Sequence, residues 1–164
     1  MTGRDSRFDC LFESVPIGPV TSKNRFYQVP HCNGMGHAMP NSVAAMRGVK
    51  AEGGWAVVST EECDIHASTD VLPYPEARLW DAEDGRRMAL MVDAVHAHGA
   101  LAAVELVHNG HAVSNRYSRL PVMGVSDLPV AALEPSQACA MTRRDIADVR
   151  RWHRKAALRA RDIG

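Results

Sequence analysis

The sequence predicts an α/β protein with a parallel sheet, because short apolar runs alternate with segments of helical period. Two of the runs, residues 55–60 and 100–107, are apolar almost throughout, which is typical of strands buried on both faces. Apolar residues recur every three or four positions in the segments between the runs, as they do on the buried face of a helix. Strand and helix alternate three times, which is the order found in parallel α/β proteins.

Composition fits a single domain and excludes several partners. The 164 residues include 46% hydrophobic and 23% charged residues, and 19 basic side chains balance 19 acidic ones. Because there is no basic surplus, we expect no nucleic acid or anionic membrane as partner. No apolar run approaches the roughly 20 residues that cross a bilayer. The four cysteines are widely spaced without a Cys-x-x-Cys pair, which predicts reduced thiols and a cytoplasmic location.

The first elements are a hairpin and a strand. Residues 8–23 predict a β-hairpin that starts with Phe8–Phe12, since proline and glycine mark its turn. Residues 24–30 are aromatic and β-branched and predict the first strand of the sheet. This strand leads into a glycine-rich loop at residues 31–36.

A helix and a second strand follow. Residues 43–51 predict a helix with Asn41 or Ser42 as its N-cap. The helix should end at the glycine pair at residues 53–54. The apolar run 55–60 predicts a buried parallel strand.

The second helix has a clear start and a clear buried face. A loop is predicted at 66–80, and Asp81 is a good N-cap with Asp84 in the position of a capping-box partner. The helix should end near Gly99. Its predicted buried stripe is formed by Met88, Met91, Val92 and Val95.

The last strand and helix lie on either side of a long irregular segment. Residues 100–107 predict the third strand, and residues 112–140 predict a long loop of the kind that serves function or packs over a site. Thr142 with Asp145 predicts the start of a third helix, which ends before Gly164. One face of this helix carries Ile146, Val149, Trp152, Ala156, Ala160 and Ile163.

Reactive side chains follow each predicted strand or lie within it. They are His31 and Cys32 after the first, Glu61, Glu62 and Cys63 after the second, and Glu105, His108 and His111 in and after the third. The carboxyl ends of parallel strands lie on one face, which holds the active site in a TIM barrel. A doubly wound sheet would also bind ligands there, but no Gly-x-Gly-x-x-Gly joins a strand to a helix.

The predicted architecture is therefore a partial TIM (β/α)₈ barrel, with an N-terminal hairpin and about three β/α units. A complete barrel has eight strands and about 250 residues. We expect residues 1–164 to be the truncated N-terminal portion of such a domain, since an open sheet leaves unpaired backbone groups at its edge.

Several strings then identify a family. The sequences at 8–13, 17–19, 24–32, 50–56 and 99–102 resemble the N-terminus of the trimethylamine, dimethylamine and histamine dehydrogenases and the dimethylglycine demethylases. These enzymes belong to the old yellow enzyme superfamily of NADH:flavin oxidoreductases. The Asn-Arg-Phe-Tyr-Gln-Val-Pro-His-Cys string is the most specific of the five.

The resemblance implies a flavin enzyme that acts on amines. It implies FMN at the carboxyl-terminal mouth of the barrel, with an iron–sulfur cluster and a nucleotide-binding region encoded after the barrel. It also implies hydride transfer from an N-methyl carbon to the flavin, hydrolysis of the iminium, and electron transfer to an electron-transfer flavoprotein. The flavin supplies the chemistry and the protein orients it.

The resemblance also implies flavin contacts near the first strand. Val29, Pro30 and His31 match a segment whose backbone lines the isoalloxazine ring. Cys32 matches the cysteine that the dehydrogenases bond covalently to the flavin, and a thiolate is a suitable nucleophile for this linkage. A free cysteine buried at a strand end is the alternative.

Two glutamates are further candidates. Glu62 stands where trimethylamine dehydrogenase has a tyrosine of its aromatic substrate bowl, which favours a larger charged amine, such as dimethylglycine, or a methylated proline over trimethylamine. A solvated loop carboxylate is the alternative. Glu105 lies within an apolar strand, so we expect it to be buried with a partner. Ene-reductases of the superfamily have a glutamine there that binds the flavin; a core salt bridge is the alternative.

The histidines after the third strand distinguish only partly between an amine dehydrogenase and an ene-reductase. His108 to His111 align with a His-x-Gly-Arg run of ene-reductases, but histidine replaces the arginine, which counts against a plain ene-reductase. We predict His108 and Glu62 as catalytic residues. A metal site from His108, His111, His31 and Glu62 is not favoured, because their spacing is not diagnostic.

Two other functions stay open at this point. One is an ene-reductase that uses NAD(P)H, and the other is a barrel fragment without catalysis. We expect the isolated chain to bind FMN weakly or not at all, because the phosphate site of such barrels lies near the last strands. Formation of a homo-oligomer is also left open.

Overall fold

A four-stranded sheet is the centre of the computed structural model, which describes residues 5–71, 75–131 and 136–164. The strands are β1 (Val15–Ile17), β2 (Val20–Ser22), β3 (Tyr27–Gln28), β4 (Val57–Asp64), β5 (Ala77–Arg78), β6 (Leu101–Val107), β7 (Met123–Gly124) and β8 (Cys139–Ala140). The helices are α1 (Pro40–Glu52), α2 (Ala82–His96) and α3 (Arg143–Asp162).

Strand β4 organises the sheet. One edge of β4 pairs with β6 from Val57↔Leu101 to Asp64↔Val107, and the pairing is parallel. The other edge pairs in parallel with β3 at its start and with β5 at its end. The predicted order of three strands and three helices around a parallel sheet is confirmed. The described strands form an open sheet and not a closed barrel.

A β-bulge interrupts the pairing of β4 with β6. Ser59 is opposite Ala103 and Glu62 is opposite Glu105, so β4 advances three residues while β6 advances two. Because side chains alternate between the two faces of a strand, the extra residue brings Ser59 and Glu62 to the same face of the sheet.

Helices α1 and α2 pack on one face of the sheet. The predicted stripe of α2 is confirmed, since all four of its side chains are buried. The Asp81 side chain caps α2 by accepting hydrogen bonds from the backbone of Glu83 and Asp84, as predicted. The predicted capping-box role of Asp84 is wrong, because its carboxylate instead accepts from Trp80 N at 3.0 Å and Arg78 Nε at 2.8 Å.

Helix α3 also lies against the sheet, and its start is as predicted. Thr142 and Asp145 form a reciprocal capping box. Trp152, Ala156, Ala160 and Ile163 contact the core. Ile146 is 50% exposed, so the predicted apolar face does not extend through the first turn.

The N-terminal hairpin differs from its prediction at one strand. Phe8–Phe12 lies in a 3₁₀ helix, Ser6–Phe12, because the Asp5 side chain accepts a hydrogen bond from Arg7 N and starts a turn. The hairpin itself is β1 and β2, with Gly18 at φ +56° in the turn. A cavity of about 520 Å³ separates it from Tyr27, Val57 and Ala103. The hairpin therefore lies at the amino-terminal end of the sheet.

The start of α1 and the extent of the first strand differ from their predictions. Helix α1 begins at Pro40, and neither Asn41 nor Ser42 caps it, because proline at the first position has no N–H that needs a partner. Its end at Gly53 and Gly54 is as predicted, with Gly54 at φ +106°. Only Tyr27–Gln28 of the predicted first strand is paired.

The predicted loops contain short elements. The loop 66–80 contains a 3₁₀ turn, Ala67–Thr69, and β5, while its residues 72–74 lie outside the described part. The segment 112–140 contains the parallel pair β7 and β8, and residues 132–135 are likewise not described. In the described residues no helix is long and apolar enough to cross a membrane.

Candidate functional site at the carboxyl end of the sheet

Four carboxylates and one thiol meet where β4 ends. Glu61, Glu62 and Asp64 lie on β4, Cys32 follows β3, and Glu76 immediately precedes β5. Both β3 and β5 pair with β4, and this pairing brings three distant parts of the chain to one place. The predicted neighbourhood of Cys32 and Glu62 is therefore formed through Glu76, which interacts with both side chains.

The backbone of Glu76 is held by a close approach of two loops. His37 N donates to Glu76 O at 3.0 Å, and His37 Nδ1 lies 2.9 Å from the same oxygen. Gly36 makes this approach possible, because a Cβ at this position would lie 2.5 Å from Glu76 O and even nearer to Pro75 O. Gly36 also has φ +43°, a conformation that favours glycine.

Cys32 and Glu76 change each other's proton affinity. Partial burial raises the pKa of the Cys32 thiol, and the Glu76 and Glu61 carboxylates raise it further. Burial raises the pKa of Glu76 to about 7, and the charge of Glu62 adds to the shift. The thiol is a hydrogen-bond partner of the Glu76 carboxyl group. At neutral pH Cys32 is therefore a thiol beside a carboxyl group that can accept its proton.

Glu61 faces a buried arginine on the other side of the cluster. Glu61 is 1% exposed, and one of its oxygens accepts from Asn33 N at 3.1 Å. Burial raises the pKa of Glu61, while Asn33 and the charge of Arg47 oppose the shift. Arg47 has no exposed surface and donates to Gln28 Oε1 at 2.8 Å and to His31 O at 2.9 Å. Arg47 thus fixes the chain between β3 and Cys32.

Asp64 is the most strongly shifted carboxyl group of the site. Burial raises the pKa of Asp64 to about 9, and the charges of Glu76, Asp70 and Glu62 contribute in that order. Asp64 is therefore protonated at neutral pH, and it lowers the charge that the cluster would otherwise carry.

The two predicted glutamates are neighbours across the sheet. Glu62 and Glu105 are opposite each other in the β4–β6 ladder, so their side chains share one face. The expectation that Glu105 is buried with a partner is wrong, since Glu105 is exposed. The alternation of β6 points Val104 and Leu106 toward the helices and Glu105 toward the open face.

The predicted flavin segment lies beside this face, but its histidine turns away. Val29 is 62% exposed. The His31 ring packs toward α1, with Nδ1 3.2 Å from Arg47 Nη1 and Nε2 2.9 Å from Lys50 Nζ. Burial lowers the pKa of His31, and the two cations lower it further. The contacts of the His31 ring are therefore with α1, while Val29 stays exposed.

His108 lies on the helix side of the sheet. Its Nδ1 accepts from Gly110 N at 3.2 Å, its Nε2 lies 3.2 Å from Ser68 Oγ, and its ring stacks 6.2 Å from Trp152. The His66 ring stacks on the same indole at 3.7 Å. Burial lowers the pKa of His108 to about 4. These contacts join His108 to α3 and not to Cys32 or Glu62.

Three residues of the site were not anticipated from the sequence. Glu76 and Asp64 were missed because a loop has no periodicity and a strand end has no diagnostic spacing. Arg47 had a visible signal: it shares one helix face with Ala44, Gly48 and Ala51, all buried. In the described ranges no three His, Cys, Asp or Glu side chains are grouped so as to hold a metal ion.

Comparison with known proteins gives the same family throughout. The model of the NADH:flavin oxidoreductase / NADH oxidase family matches residues 10–164. Dimethylamine dehydrogenase from Hyphomicrobium sp. (strain x) is 43% identical, over 98% of this chain and 23% of its own length. NADPH dehydrogenase from Listeria welshimeri is 29% identical, over 94% of this chain and 45% of its own length.

Solved structures give the corresponding result for the fold. The structure of histamine dehydrogenase from Rhizobium sp. 4-9 superposes on this chain with a TM-score of 0.94 and 44% identity. The match covers 98% of this chain and 25% of the histamine dehydrogenase chain. The old yellow enzyme homologue from Zymomonas mobilis matches 94% of this chain and 46% of its own, with a TM-score of 0.80 and 22% identity. The predicted likeness in fold to old yellow enzyme TIM barrels is confirmed. The chain spans about a quarter of the length of the amine dehydrogenases that it matches.

Gly36 provides a test of the loop approach that positions Glu76. We expect Gly36→Ala to lower the free energy of unfolding by about 2–5 kcal/mol, the sum of a positive-φ penalty and a steric clash. Gly34→Ala is the matched control, since Gly34 has φ +72° but no atom within 4 Å of its Cβ position. It should cost only about 1–2 kcal/mol. If urea denaturation shows the same loss of unfolding free energy in both variants, the contact of Gly36 with Pro75 and Glu76 is not tight.

His108 provides a test through pH. Its folded pKa is about 4 against an unfolded value near 6.5, so the unfolded chain binds the proton more tightly. Stability from this group is present above pH 6.5 and is lost as pH falls toward 4, by about 3 kcal/mol. We expect His108→Gln to flatten the decrease of unfolding free energy over this window, whereas a glutamine at the exposed His98 should not. If the unfolding free energy falls equally steeply with pH in both variants, the lowered pKa of His108 is contradicted.

Proposed function

Because the chain belongs to the NADH:flavin oxidoreductase / NADH oxidase family, we propose that its protein is an FMN-dependent amine dehydrogenase. In this proposal it oxidises the C–N bond of a small N-methylated amine, with dimethylglycine as the model substrate. The 43% identity to dimethylamine dehydrogenase and the 44% identity to histamine dehydrogenase support an amine as substrate. Residues 1–164 would supply the first β/α units of the FMN-binding barrel domain.

The observation that carries the proposal is the acidic character of the carboxyl end of the sheet. Glu62 and Glu105 share the open face, and Glu76 lies against Glu62. Clustered carboxylates attract a protonated amine and repel carboxylate-rich molecules. A substrate with both charges, such as dimethylglycine, would present its ammonium group to Glu62 and its carboxylate to another part of the site.

The residues of this face suit a flavin ring. The exposed side chain of Val29 offers apolar surface, Cys32 offers an exposed thiol, and Glu105 offers a polar group for the ring edge. Bound FMN would supply the acceptor for the hydride that leaves the carbon next to the amine nitrogen. Glu62 would bind the ammonium group and take up its proton, since hydride leaves only from the neutral amine, and Val29, Pro30 and the His31 backbone would line the ring.

Cys32 is the candidate for a covalent bond to the flavin, as the family resemblance implies. The thiolate is the reactive form of cysteine. Because the thiol pKa of Cys32 is raised, the proton must go to a neighbouring group before the sulfur can react. Glu76 is that neighbour.

His108 is proposed to support α3 through Trp152 and not to act as a catalytic residue, which revises its predicted role.

The remaining parts of the proposal come from the resemblance alone. They are an iron–sulfur cluster outside this chain and an electron-transfer flavoprotein as electron acceptor. A cytoplasmic location is proposed as well, since Cys10, Cys32, Cys63 and Cys139 are all free thiols.

An ene-reductase that consumes NAD(P)H is the second candidate. The 29% identity to NADPH dehydrogenase supports it. Glu62 argues against it, because a carboxylate at the pocket gives no advantage to a neutral alkene. The higher identity to the amine dehydrogenases also favours the first candidate.

A substrate comparison tests the proposal. We expect the full-length parent protein with FMN to oxidise N-methylated amines with an artificial electron acceptor, and to reduce cyclic enones with NAD(P)H poorly. Glu62→Gln should lower kcat/KM for dimethylglycine by about 10- to 100-fold, the loss of roughly 1.4–2.8 kcal/mol of charge-assisted binding. Glu83→Gln on the exposed face of α2 is the control and should have no effect. Enone reduction as the faster reaction would favour the second candidate.

Acid precipitation tests the covalent link. We expect flavin absorbance to stay with the precipitated wild-type protein and to be released from Cys32→Ala, because only a covalent bond survives unfolding. Cys10→Ala replaces another exposed thiol and should retain the flavin. Release of flavin from the wild type would mean that Cys32 contacts the cofactor without bonding to it.

A further inference from the structure

A small cavity is lined by three residues that each carry a buried polar atom without a partner. The cavity measures about 20 Å³, and Asp64, Glu76 and Trp80 all line it. Asp64 Oδ1, Glu76 Oε2 and Trp80 Nε1 are each buried and have no hydrogen bond within the described part of the protein. Asp64 is only 5% exposed, so bulk water does not reach its carboxyl group freely. An unpaired buried polar atom is costly, so three around one cavity indicate a common partner.

The two charged side chains Asp70 and Arg78, which also line the cavity, already have partners. The Asp70 carboxylate accepts from Tyr117 N at 3.1 Å and from Ser118 N at 2.8 Å. Arg78 donates Nε to Asp84 at 2.8 Å, and its guanidinium lies 4.5 Å above the Trp80 ring. The need for a partner is therefore concentrated on the three atoms named above.

We propose that Asp64, Glu76 and Trp80 form an internal water-binding site. One water molecule would accept a hydrogen bond from Trp80 Nε1 and donate one each to Asp64 Oδ1 and Glu76 Oε2. Three hydrogen bonds to otherwise unpaired groups is the usual number for a buried water, and the cavity exceeds the volume of about 10–15 Å³ that a water requires.

The donor among the three atoms selects water over a cation. Two carboxyl groups alone would also suit a sodium or ammonium ion. The indole N–H of Trp80, however, can only donate, and it would oppose a positive charge in the cavity. Burial also raises the pKa of Asp64 to about 9, so this carboxyl group is neutral at pH 7 and attracts a cation weakly.

The water would complete a hydrogen-bonded chain to the thiol. Glu76 interacts with Cys32 through its carboxyl group, and the water would connect Glu76 to Asp64 behind it. Asp64, the water and Glu76 would then form a proton path that ends at Cys32. The water site itself does not depend on the proposed amine chemistry, so one proposal can fail without the other.

Crystallography of the full-length parent protein tests the site directly. We expect one density peak within about 2.7–3.2 Å of all three atoms, the range of ordinary hydrogen bonds. Direct contact between the Asp64 and Glu76 carboxyl groups without a peak would overturn the proposal. A peak with oxygen contacts near 2.4 Å and Trp80 Nε1 turned away would indicate a metal ion instead, and would overturn it as well.

Infrared spectroscopy tests the same site in solution. The carbonyl band of protonated Asp64 should disappear in Asp64→Asn, which identifies it. Trp80→Phe keeps an aromatic ring but removes the donor to the water, so we expect the Asp64 band to shift. Trp55→Phe is the control, since Trp55 lies elsewhere, against Phe26, and is 37% exposed. An Asp64 band that is identical in the wild type and Trp80→Phe would contradict the proposed water.

Discussion

The parallel pairing of β4 with β6, with the bulge inside it, is the constraint on which the site depends. Without the bulge, Glu61 and not Glu62 would be opposite Glu105. The extra residue instead sends Glu61 into the layer between sheet and helices, where it faces the buried Arg47, and leaves Glu62 on the open face. Two adjacent glutamates thereby acquire different environments, and one strand serves both the internal packing and the pocket.

The electrostatics of the site follow from burial beside like charges. Burial raises the pKa values of Glu61, Asp64 and Glu76, so part of the cluster is neutral when the protein is folded. This neutralisation lets several carboxyl groups share a small volume without a metal ion or a matching number of cations. Arg47 offsets part of what remains, and its bonds to Gln28 and His31 couple charge compensation to the position of Cys32.

The sequence was informative where local physics decides the structure. The α2 stripe, the caps at Asp81 and Thr142 and the apolar strands could all be predicted, because each depends on periodicity or on a neighbouring backbone group. The bulge could not, since a strand of the same composition exists with or without it. Glu76 reaches Cys32 through loop contacts about 40 residues apart in sequence, as in the approach of Gly36 to Pro75 and Glu76. Glu105 could not be recognised as exposed from its apolar neighbours alone.

The bulge also bears on how such a pocket can diverge. Substitution at one position changes a single side chain, whereas regular pairing of the same residues without the bulge would rotate every side chain of β4 after Ser59 to the opposite face. Cys63, now without exposed surface, would then point into the pocket and Glu62 into the helix layer. Natural variation in this segment should therefore conserve the bulged pairing more strictly than the side chains around it, and new specificities should arise by replacement of side chains within this fixed register.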